Sequence, residues 1–223
     1  MINIAIDGPS GAGKSTVAKA LAKDLSFIYV DTGAMYRSIG LYTKRSSVDP
    51  SDAEAVLSLL PEITVSLSYG DDGAQHVLLN GEDVSSAIRE NEISMYASAV
   101  SKIPGVRAFL LDLQRSMAEK NNVIMDGRDI GTVILPHAQL KVFLFASAAA
   151  RAKRRYLELI EKGQEVAYDQ ILSEIEARDY QDRTRDVAPA VPAEDAVMMD
   201  NSDMTIEENV AAIKGLLKER ELI

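Results

Sequence analysis

The chain has 223 residues, of which 47% are hydrophobic and 26% charged, a length and balance typical of a globular protein with a sizeable core. It contains no cysteine, which excludes disulfide bonds and thiolate metal sites, and its net charge of −10 disfavours a protein that coats nucleic acid. No apolar run approaches the roughly 20 residues of a membrane helix, and residues 1–7 lack a basic start, so we expect a cytoplasmic protein without a signal peptide.

Apolar, β-branched runs alternate with helical patterns along the chain. The runs that predict strands are residues 2–6, 27–30, 123–125, 141–145 and 196–199. A helix is predicted over residues 14–25, where Val17, Leu21 and Leu25 recur at helical spacing, and a last helix begins at a capping box from Thr205 to Glu208. This alternation predicts an α/β fold, in which helices cover both faces of a parallel sheet.

One segment breaks this alternation. Residues 63–68 alternate apolar and polar side chains with period two, as a half-exposed strand does, and residues 76–79 are predicted to form another strand. Asp71-Asp72-Gly73 is a turn signal, and Asn80-Gly81 is a strong signal for a tight hairpin. We therefore expect a small antiparallel insert between helices of the main fold.

A complete phosphate-loop motif follows the first predicted strand and precedes the first predicted helix. The motif and the next residue predict an ATP site made of Gly8, Pro9, Ser10, Gly11, Ala12, Gly13, Lys14, Ser15 and Thr16. Its glycines let backbone N–H groups and the helix N-terminus face the phosphates. Lys14 is expected to reach the β and γ phosphates, and the Ser15 hydroxyl to ligate Mg²⁺.

The rest of the sequence narrows the class of phosphate-loop protein. A GTPase would normally read guanine through an Asn-Lys-x-Asp segment, which is absent, and the chain is short for a translocating ATPase. These features favour a small-molecule kinase.

The second predicted strand ends at a polar segment, Asp31 to Arg37. In open α/β sheets, ligands bind at the carboxyl ends of the strands. Thr32 and Arg37 could therefore clamp a phosphate monoester. A simpler alternative is a helix start capped by Asp31, with Arg37 in solvent. The segment alone supports both interpretations.

Asp126-Gly127-Arg128-Asp129 follows another buried run, so these residues should lie at the same sheet edge. Asp126 is placed to hold a metal-bound water, while Arg128 and Asp129 would point towards the acceptor. The alternative is a tight turn stabilised by local ion pairs.

Two further segments are rich in charge. Arg151, Arg154 and Arg155 open a predicted helix, where they could close over the transferring phosphoryl group as arginine fingers do. The alternatives are a solvated helix face or a nucleic-acid patch. The run from Arg178 to Arg185 is either an exposed helix end or a wall of the acceptor pocket.

Three motifs in this order resemble the signatures of bacterial cytidylate kinases: residues 7–14, 31–37 and 126–132. The segment from Asp182 to Pro189 is similar to that family as well. The resemblance implies a P-loop nucleoside monophosphate kinase fold with a small antiparallel insert. Its implied parts are a core (1–32, 104–147 and 166–223), a monophosphate-binding lobe (33–103) with the insert at 63–84, and a lid (148–165).

The same resemblance implies that the γ-phosphoryl group of ATP, bound with Mg²⁺, passes to CMP or dCMP in a monomeric enzyme. Lys14, Asp126 and the lid arginines Arg151, Arg154 and Arg155 would be catalytic. The implied CMP site comprises Asp31, Thr32, Arg37, Ser98, Arg107, Arg128, Asp129, Asp182 and Arg185. Among these, Thr32, Arg37 and Arg128 would hold the phosphate and Asp182 the ribose, and the cytosine would be read by Ser98, Arg107, Asp129 and Arg185.

Two rival interpretations remain at this point. One is a kinase for another small acceptor, such as UMP or a non-nucleotide metabolite. The other is a nucleotide-dependent switch or RNA-binding module that uses the basic run from Arg151 to Arg155 as its contact.

Overall fold

The computed structural model describes residues 1–70 and 75–223, which divide into two compact units. The first unit is Met1–Ile28 with Asn121–Ile223, and the second is Tyr29–Lys120. The predicted turn at Asp71-Asp72-Gly73 lies outside the described residues. Among the helices of these residues, none has the length and apolar character needed to cross a membrane.

The elements are numbered here in chain order. The strands of the described residues are β1 (Asn3–Asp7), β2 (Ile28–Asp31), β3 (Val65–Tyr69), β4 (Gln75–Leu79), β5 (Glu82–Asp83), β6 (Val123–Gly127), β7 (Leu140–Phe145) and β8 (Val197–Asp200). The α-helices are α1 (Lys14–Leu25), α2 (Thr32–Arg45), α3 (Ala53–Leu59), α4 (Asn91–Val100), α5 (Pro104–Lys120), α6 (Ala148–Glu161), α7 (Tyr168–Thr184) and α8 (Ile206–Glu219).

A parallel sheet organises the first unit, with strand order β2-β6-β1-β7-β8. β1 pairs in parallel with both β6 and β7, and β7 pairs in parallel with β8. β2 joins through Ile28, whose N–H donates to the Asn122 carbonyl at 2.9 Å. Ile6 lies opposite Asp126, so the carboxyl ends of β1 and β6 meet at one edge. The predicted parallel sheet is confirmed, and this edge positions the site.

Local sequence accounts for the helices that border the sheet. α1 covers the predicted residues 14–25, buries Val17 and Leu21, and ends where Ser26 adopts a left-handed conformation with φ of 55°. At α8 the predicted capping box is present: the Thr205 hydroxyl accepts the Glu208 N–H, and the Glu208 carboxylate accepts the Thr205 N–H. These local signals therefore set the helix boundaries around the sheet.

The second unit contains a three-stranded antiparallel sheet, with order β3-β4-β5. β4 and β5 are joined by Asn80 and Gly81, whose φ angles of 51° and 85° match a tight hairpin turn of the primed type. Val77 and Leu79 are buried on one face of the sheet. The antiparallel insert is thus confirmed.

Helices α2 and α4 of the second unit pack closely at Gly40. A Cβ atom at this position would lie 2.9 Å from the backbone nitrogen of Ala97 and 3.0 Å from the Tyr96 Cβ. The absence of a side chain at Gly40 thus permits the two helices to approach.

Gly40→Ala should lower the free energy of unfolding by about 1–3 kcal/mol, the usual cost of overpacking a tight contact. Gly215→Ala in α8 is the matched control, because a Cβ there meets nothing within 4 Å. That change should stabilise the protein by about 0.5–1 kcal/mol, since alanine loses less backbone entropy than glycine. Urea unfolding of both variants provides the measurement, and equal effects would contradict the packing argument.

Candidate active site

The phosphate loop leaves β1 at Gly8 and enters α1 at Lys14. Gly8 has φ of 148°, and a Cβ atom there would overlap the Leu144 carbonyl oxygen, so the loop can follow this path only with glycine. At its other end, Gly13 is the left-handed N-cap of α1, and as a glycine it makes no side-chain cap to the N–H groups of this helix terminus. The positive end of the helix dipole therefore faces the loop, as anion binding requires.

Lys14 is a buried lysine inside this loop. Its Nζ donates to the Pro9 carbonyl at 2.7 Å. Burial, and after it the positive charge of Arg128, lower the pKa of Lys14 to about 7, although the carboxylates of Asp126, Asp7 and Asp182 act to raise it. A polyanion bound in the loop would restore the charged form of Lys14, because an opposite charge raises the pKa of an ammonium group.

Ser15 and Asp126 come together across the sheet edge. The Ser15 hydroxyl donates to the Asp126 Oδ2 at 2.7 Å, although the two residues are 111 positions apart. A hydroxyl and a carboxylate are hard oxygen donors of the kind that Mg²⁺ prefers. The chemistry of this pair therefore fits a divalent metal ion.

Asp7 ties the end of β1 to the segment after β6. Its two carboxylate oxygens accept the backbone N–H groups of Ile130, at 2.8 Å, and Gly131, at 2.7 Å. Burial raises the pKa of Asp7 to about 6, while these two hydrogen bonds favour the ionised form. The contact fixes the backbone directly after Asp129, at the start of a single π-helical turn, Ile130–Ile134.

The charged residues after β6 pair with the C-terminal end of α7. Arg128 Nε donates to Asp182 Oδ2 at 2.9 Å, and Arg185 Nη2 lies 3.7 Å from Asp129 Oδ1. Burial tends to raise the pKa of Asp182, but Arg128, Arg178 and Arg185 hold it below its usual range. Asp129 is only 4% exposed, so its charge lies in a largely desolvated position. Arg128 and Asp129 thus form ion pairs with residues distant in sequence, unlike the locally paired turn considered above.

The arginines of α6 fall into different environments. Arg151 is only 3% exposed; its guanidinium donates to the Ser10 carbonyl at 2.8 Å and pairs with Asp179. Arg155, whose side chain is 37% exposed, pairs with Glu158 one helical turn away. A surface pair of this kind is weak, so Arg155 is easily released for another anion.

Arg154 reaches the loop between β8 and α8. It donates to the carbonyls of Asn201, at 2.6 Å, and Ser202, at 2.9 Å. The Asn201 side chain in turn donates to the Ala12 carbonyl at 2.7 Å. Arg154 therefore supports the phosphate loop through an intermediate residue.

In the second unit, the predicted phosphate-clamping segment begins α2. Asp31 is its N-cap, with Oδ1 accepting the Ala34 N–H at 2.8 Å, and Thr32 is buried at the first helical position. Arg37 Nη2 donates to Asp31 Oδ2 at 3.1 Å. The Asp31 cap is thus present, while the Arg37 guanidinium contacts the cap carboxylate.

Ser98 and Arg107, two predicted readers of the base, are linked within the second unit through Ser101. The Ser101 hydroxyl donates to the Ser98 carbonyl at 2.9 Å, and Arg107 Nη1 donates to the Ser101 carbonyl at 3.3 Å. The Arg107 guanidinium also lies 5.7 Å from the centre of the Tyr36 ring, a cation–π distance. These contacts fix both residues at neighbouring helix ends.

Sequence reasoning assigned no individual role to three residues that support the site: Asp7, Asp179 and Asn201. Asp7 directly precedes the phosphate-loop motif, so its position was a usable signal. Asp179 and Asn201 contact the site only through partners distant in sequence. Asp179 lies in the charged run from Arg178 to Arg185, but no local pattern indicates the partner of either residue.

Sequence comparisons with known proteins agree on one family. A sequence-family model described as cytidylate kinase matches residues 4–219. A cytidylate kinase from Caldicellulosiruptor saccharolyticus is 54% identical over 207 residues, which are 93% of this chain and 91% of that protein. Another from Lactobacillus gasseri is 47% identical over 221 residues, 99% of this chain and 96% of that one. Among solved structures, a shikimate kinase from Bacteroides thetaiotaomicron is 15% identical with a TM-score of 0.48, covering 97% of this chain and 98% of its own.

Lys14→Met should stabilise the nucleotide-free protein at pH 7. The pKa of Lys14 falls from an ordinary 10.5 to about 7 in the folded state, so between these pH values the unfolded chain binds more protons. Lys14 therefore destabilises the folded protein less as the pH rises through this window. At pH 7 and below, its buried ammonium group lowers the free energy of unfolding. Removing it should add about 1–3 kcal/mol, after the lost hydrogen bond to Pro9 is subtracted.

Urea unfolding at pH 7 and pH 9.5 measures this effect, and the gain should shrink at the higher pH. Lys23→Met, an exposed lysine of the same helix, is the control and should give no pH-dependent difference. A Lys14→Met variant that is less stable at pH 7, or whose gain is independent of pH, would contradict the argument.

Proposed function

The chain belongs to the cytidylate kinase family, and we propose that it transfers the γ-phosphoryl group of ATP to CMP or dCMP, giving ADP and CDP or dCDP. The main support for this proposal is the complete phosphate loop, in which Lys14 is buried and Ser15 is hydrogen-bonded to Asp126. The chain also matches the family over residues 4–219. The enzyme is accordingly an ATP-dependent phosphotransferase.

The ATP phosphates bind in the loop from Gly8 to Thr16, where backbone N–H groups and the α1 N-terminus surround them. Lys14 neutralises charge where the β and γ phosphates meet. Ser15 would hold a divalent metal ion, Mg²⁺ in this proposal, and Asp126 would act on it through a bound water. Bound Mg²⁺ supplies positive charge to the phosphate oxygens.

The acceptor nucleotide is held by residues carried over from the family motifs. Thr32, Arg37 and Arg128 bind its phosphate, and Asp182 binds its ribose. Arg128 Nε donates to Asp182 Oδ2 at 2.9 Å. When the nucleotide binds, each of these residues therefore gives up its protein partner and contacts the substrate instead. Asp31, the N-cap of α2, supports the residues that bind the acceptor nucleotide.

The chemistry requires alignment and charge neutralisation more than covalent help. The acceptor oxygen of CMP is already ionised, so no general base is needed. Cations placed around the moving phosphoryl group stabilise the charge that spreads over its oxygens in the transition state. Among the α6 arginines we assign this role to Arg155, because its weak surface pair leaves it available, whereas Arg151 and Arg154 are engaged by the phosphate loop and its neighbour.

Ser98, Arg107, Asp129 and Arg185 read the cytosine in this proposal. Cytosine presents an amine donor at N4 and acceptors at N3 and O2, whereas uracil presents an acceptor at O4 and a donor at N3. An ionised Asp129 can only accept, and Arg107 and Arg185 can only donate. These donors and acceptors complement cytosine and oppose uracil.

Composition and the family resemblance together lead us to expect a cytoplasmic monomer that binds neither nucleic acid nor membranes.

Arg155→Gln should lower kcat and kcat/KM together by about 100-fold, as loss of one preorganised cation in the transition state does. Lys153→Gln, an exposed cation on the same helix, is the control and should change neither value. Steady-state kinetics with ATP and CMP provide the measurement. A variant that only raises KM would assign Arg155 to ground-state binding instead.

The acceptor is tested by ADP release with CMP, dCMP, UMP, AMP and GMP. CMP should exceed UMP by on the order of 100-fold or more in kcat/KM, because a carboxylate facing the uracil O4 leaves two acceptors unpaired in a desolvated site. Comparable use of UMP would contradict the base assignment, and no turnover with CMP or dCMP would contradict the function.

Asp129→Ala should reduce the CMP to UMP ratio, mainly by lowering activity with CMP. Asp186→Ala removes an exposed carboxylate next to Arg185 and serves as the control. An unchanged ratio in Asp129→Ala would show that this carboxylate does not read the cytosine amine.

A further inference from the structure

The carboxylate of Asp31 is shared by three donors within the second unit. Its Oδ1 accepts the Ala34 N–H at 2.8 Å, which caps α2. Its Oδ2 lies 3.1 Å from Arg37 Nη2 and 3.3 Å from Arg89 Nη2. Asp31 is buried, so its negative charge depends on these partners for stabilisation.

Arg89 was not singled out by any sequence motif, yet its backbone is firmly placed. It ends a short 3₁₀ turn, Ala87–Arg89, which is anchored by the fully buried Ile88. The Arg89 N–H donates to the Ser86 carbonyl at 3.0 Å. Its side chain is 52% exposed, so the guanidinium spans from solvent to the buried carboxylate.

The charges in this cluster do not cancel. Asp31 and Arg37 alone would be neutral as a pair, whereas Asp31, Arg37 and Arg89 together carry one net positive charge. Electrostatic attraction for an anion is stronger where protein excludes water. The net positive charge of this cluster therefore attracts an anion more strongly than the same charge on an open surface would. The cluster therefore attracts a phosphate, which the isolated Asp31–Arg37 pair would do only weakly.

Arg37 also retains an unused donor. Its Nη2 is held by Asp31, while its Nε is buried and bonds to no acceptor in the described part of the chain. A buried N–H without an acceptor is unfavourable, so a ligand oxygen that reaches it gains a strong, charge-assisted hydrogen bond.

We infer that Arg89 is a positioning residue for the acceptor phosphate: by sharing Asp31, it leaves net positive charge on Arg37, whose Nε donor is available to the phosphate monoester. Arg89 acts through Asp31 and Arg37 and makes no contact with the substrate. The inference rests on the proposed function, in which Arg37 binds the phosphate of CMP.

The test compares Arg89→Gln, which removes the charge, with Arg89→Lys, which keeps it. Isothermal titration of CMP without ATP should give a dissociation constant raised about 10-fold in Arg89→Gln, as expected for loss of one nearby charge in a partly buried site. Arg89→Lys should stay within about 3-fold of wild type, because a lysine ammonium can still compensate Asp31. The KM for CMP should follow the same order, while the KM for ATP stays constant.

Two controls separate this role from a general structural one. Arg45→Gln removes another exposed arginine of the second unit, which pairs with Glu82, and should leave CMP binding unchanged. In an Arg37→Gln background, Arg89→Gln should cause little further loss, because its effect passes through Arg37.

Three results would overturn the inference. They are an unchanged CMP affinity in Arg89→Gln, an equally large loss in the Arg37→Gln background, and a parallel rise in the KM for ATP. If the wild-type protein binds CMP and the Arg89→Gln variant binds it equally well, only the role of Arg89 is refuted. Wild-type protein that neither binds nor phosphorylates CMP would refute the proposed function and this inference together.

Discussion

The first unit depends on a buried carboxylate that joins two strand ends. Asp7 closes β1, and both of its oxygens accept N–H groups from the turn that follows β6. This contact fixes the start of the phosphate loop relative to the Asp126–Asp129 segment. Ionisation of Asp7 inside the protein is unfavourable, as its raised pKa of about 6 indicates, and two backbone donors offset that cost. A structural carboxylate therefore underlies the placement of the residues assigned to phosphate and metal binding.

The cations of the candidate site are held ready by acidic partners in an acidic protein. Arg128 lies against Asp182, Arg151 against Asp179, and Arg37 and Arg89 share Asp31, each within one unit. Such pairs keep long side chains ordered and limit the cost of burying their charges. In the proposed mechanism, a phosphate that enters would replace or add to a carboxylate already present. Phosphate recognition in this protein is thus compatible with a net charge of −10.

Much of the architecture could be predicted from local pattern. The predicted helix over residues 14–25 matches α1, and the Asn80-Gly81 signal marks the hairpin between β4 and β5. Both depend on neighbouring residues, through capping, periodicity and positive φ angles. Strand limits were less certain: residues 63–68 were expected where β3 covers Val65–Tyr69, because the alternating pattern does not indicate where pairing begins. No local pattern marks Arg89, because its partner Asp31 lies 58 positions away.

The sequence by itself determined the phosphate loop, the order of strands and helices, and the family motifs, because each is written in contiguous residues with fixed spacing. Only the tertiary structure decided what individual charges do. Arg151, Arg154 and Arg155 look equivalent in the sequence, yet Arg151 contacts Ser10, 141 positions away, and Arg154 contacts Asn201, 47 positions away, while Arg155 pairs within its own helix. The difference arises because burial and ion pairing depend on residues brought together by folding, and no local spacing encodes them.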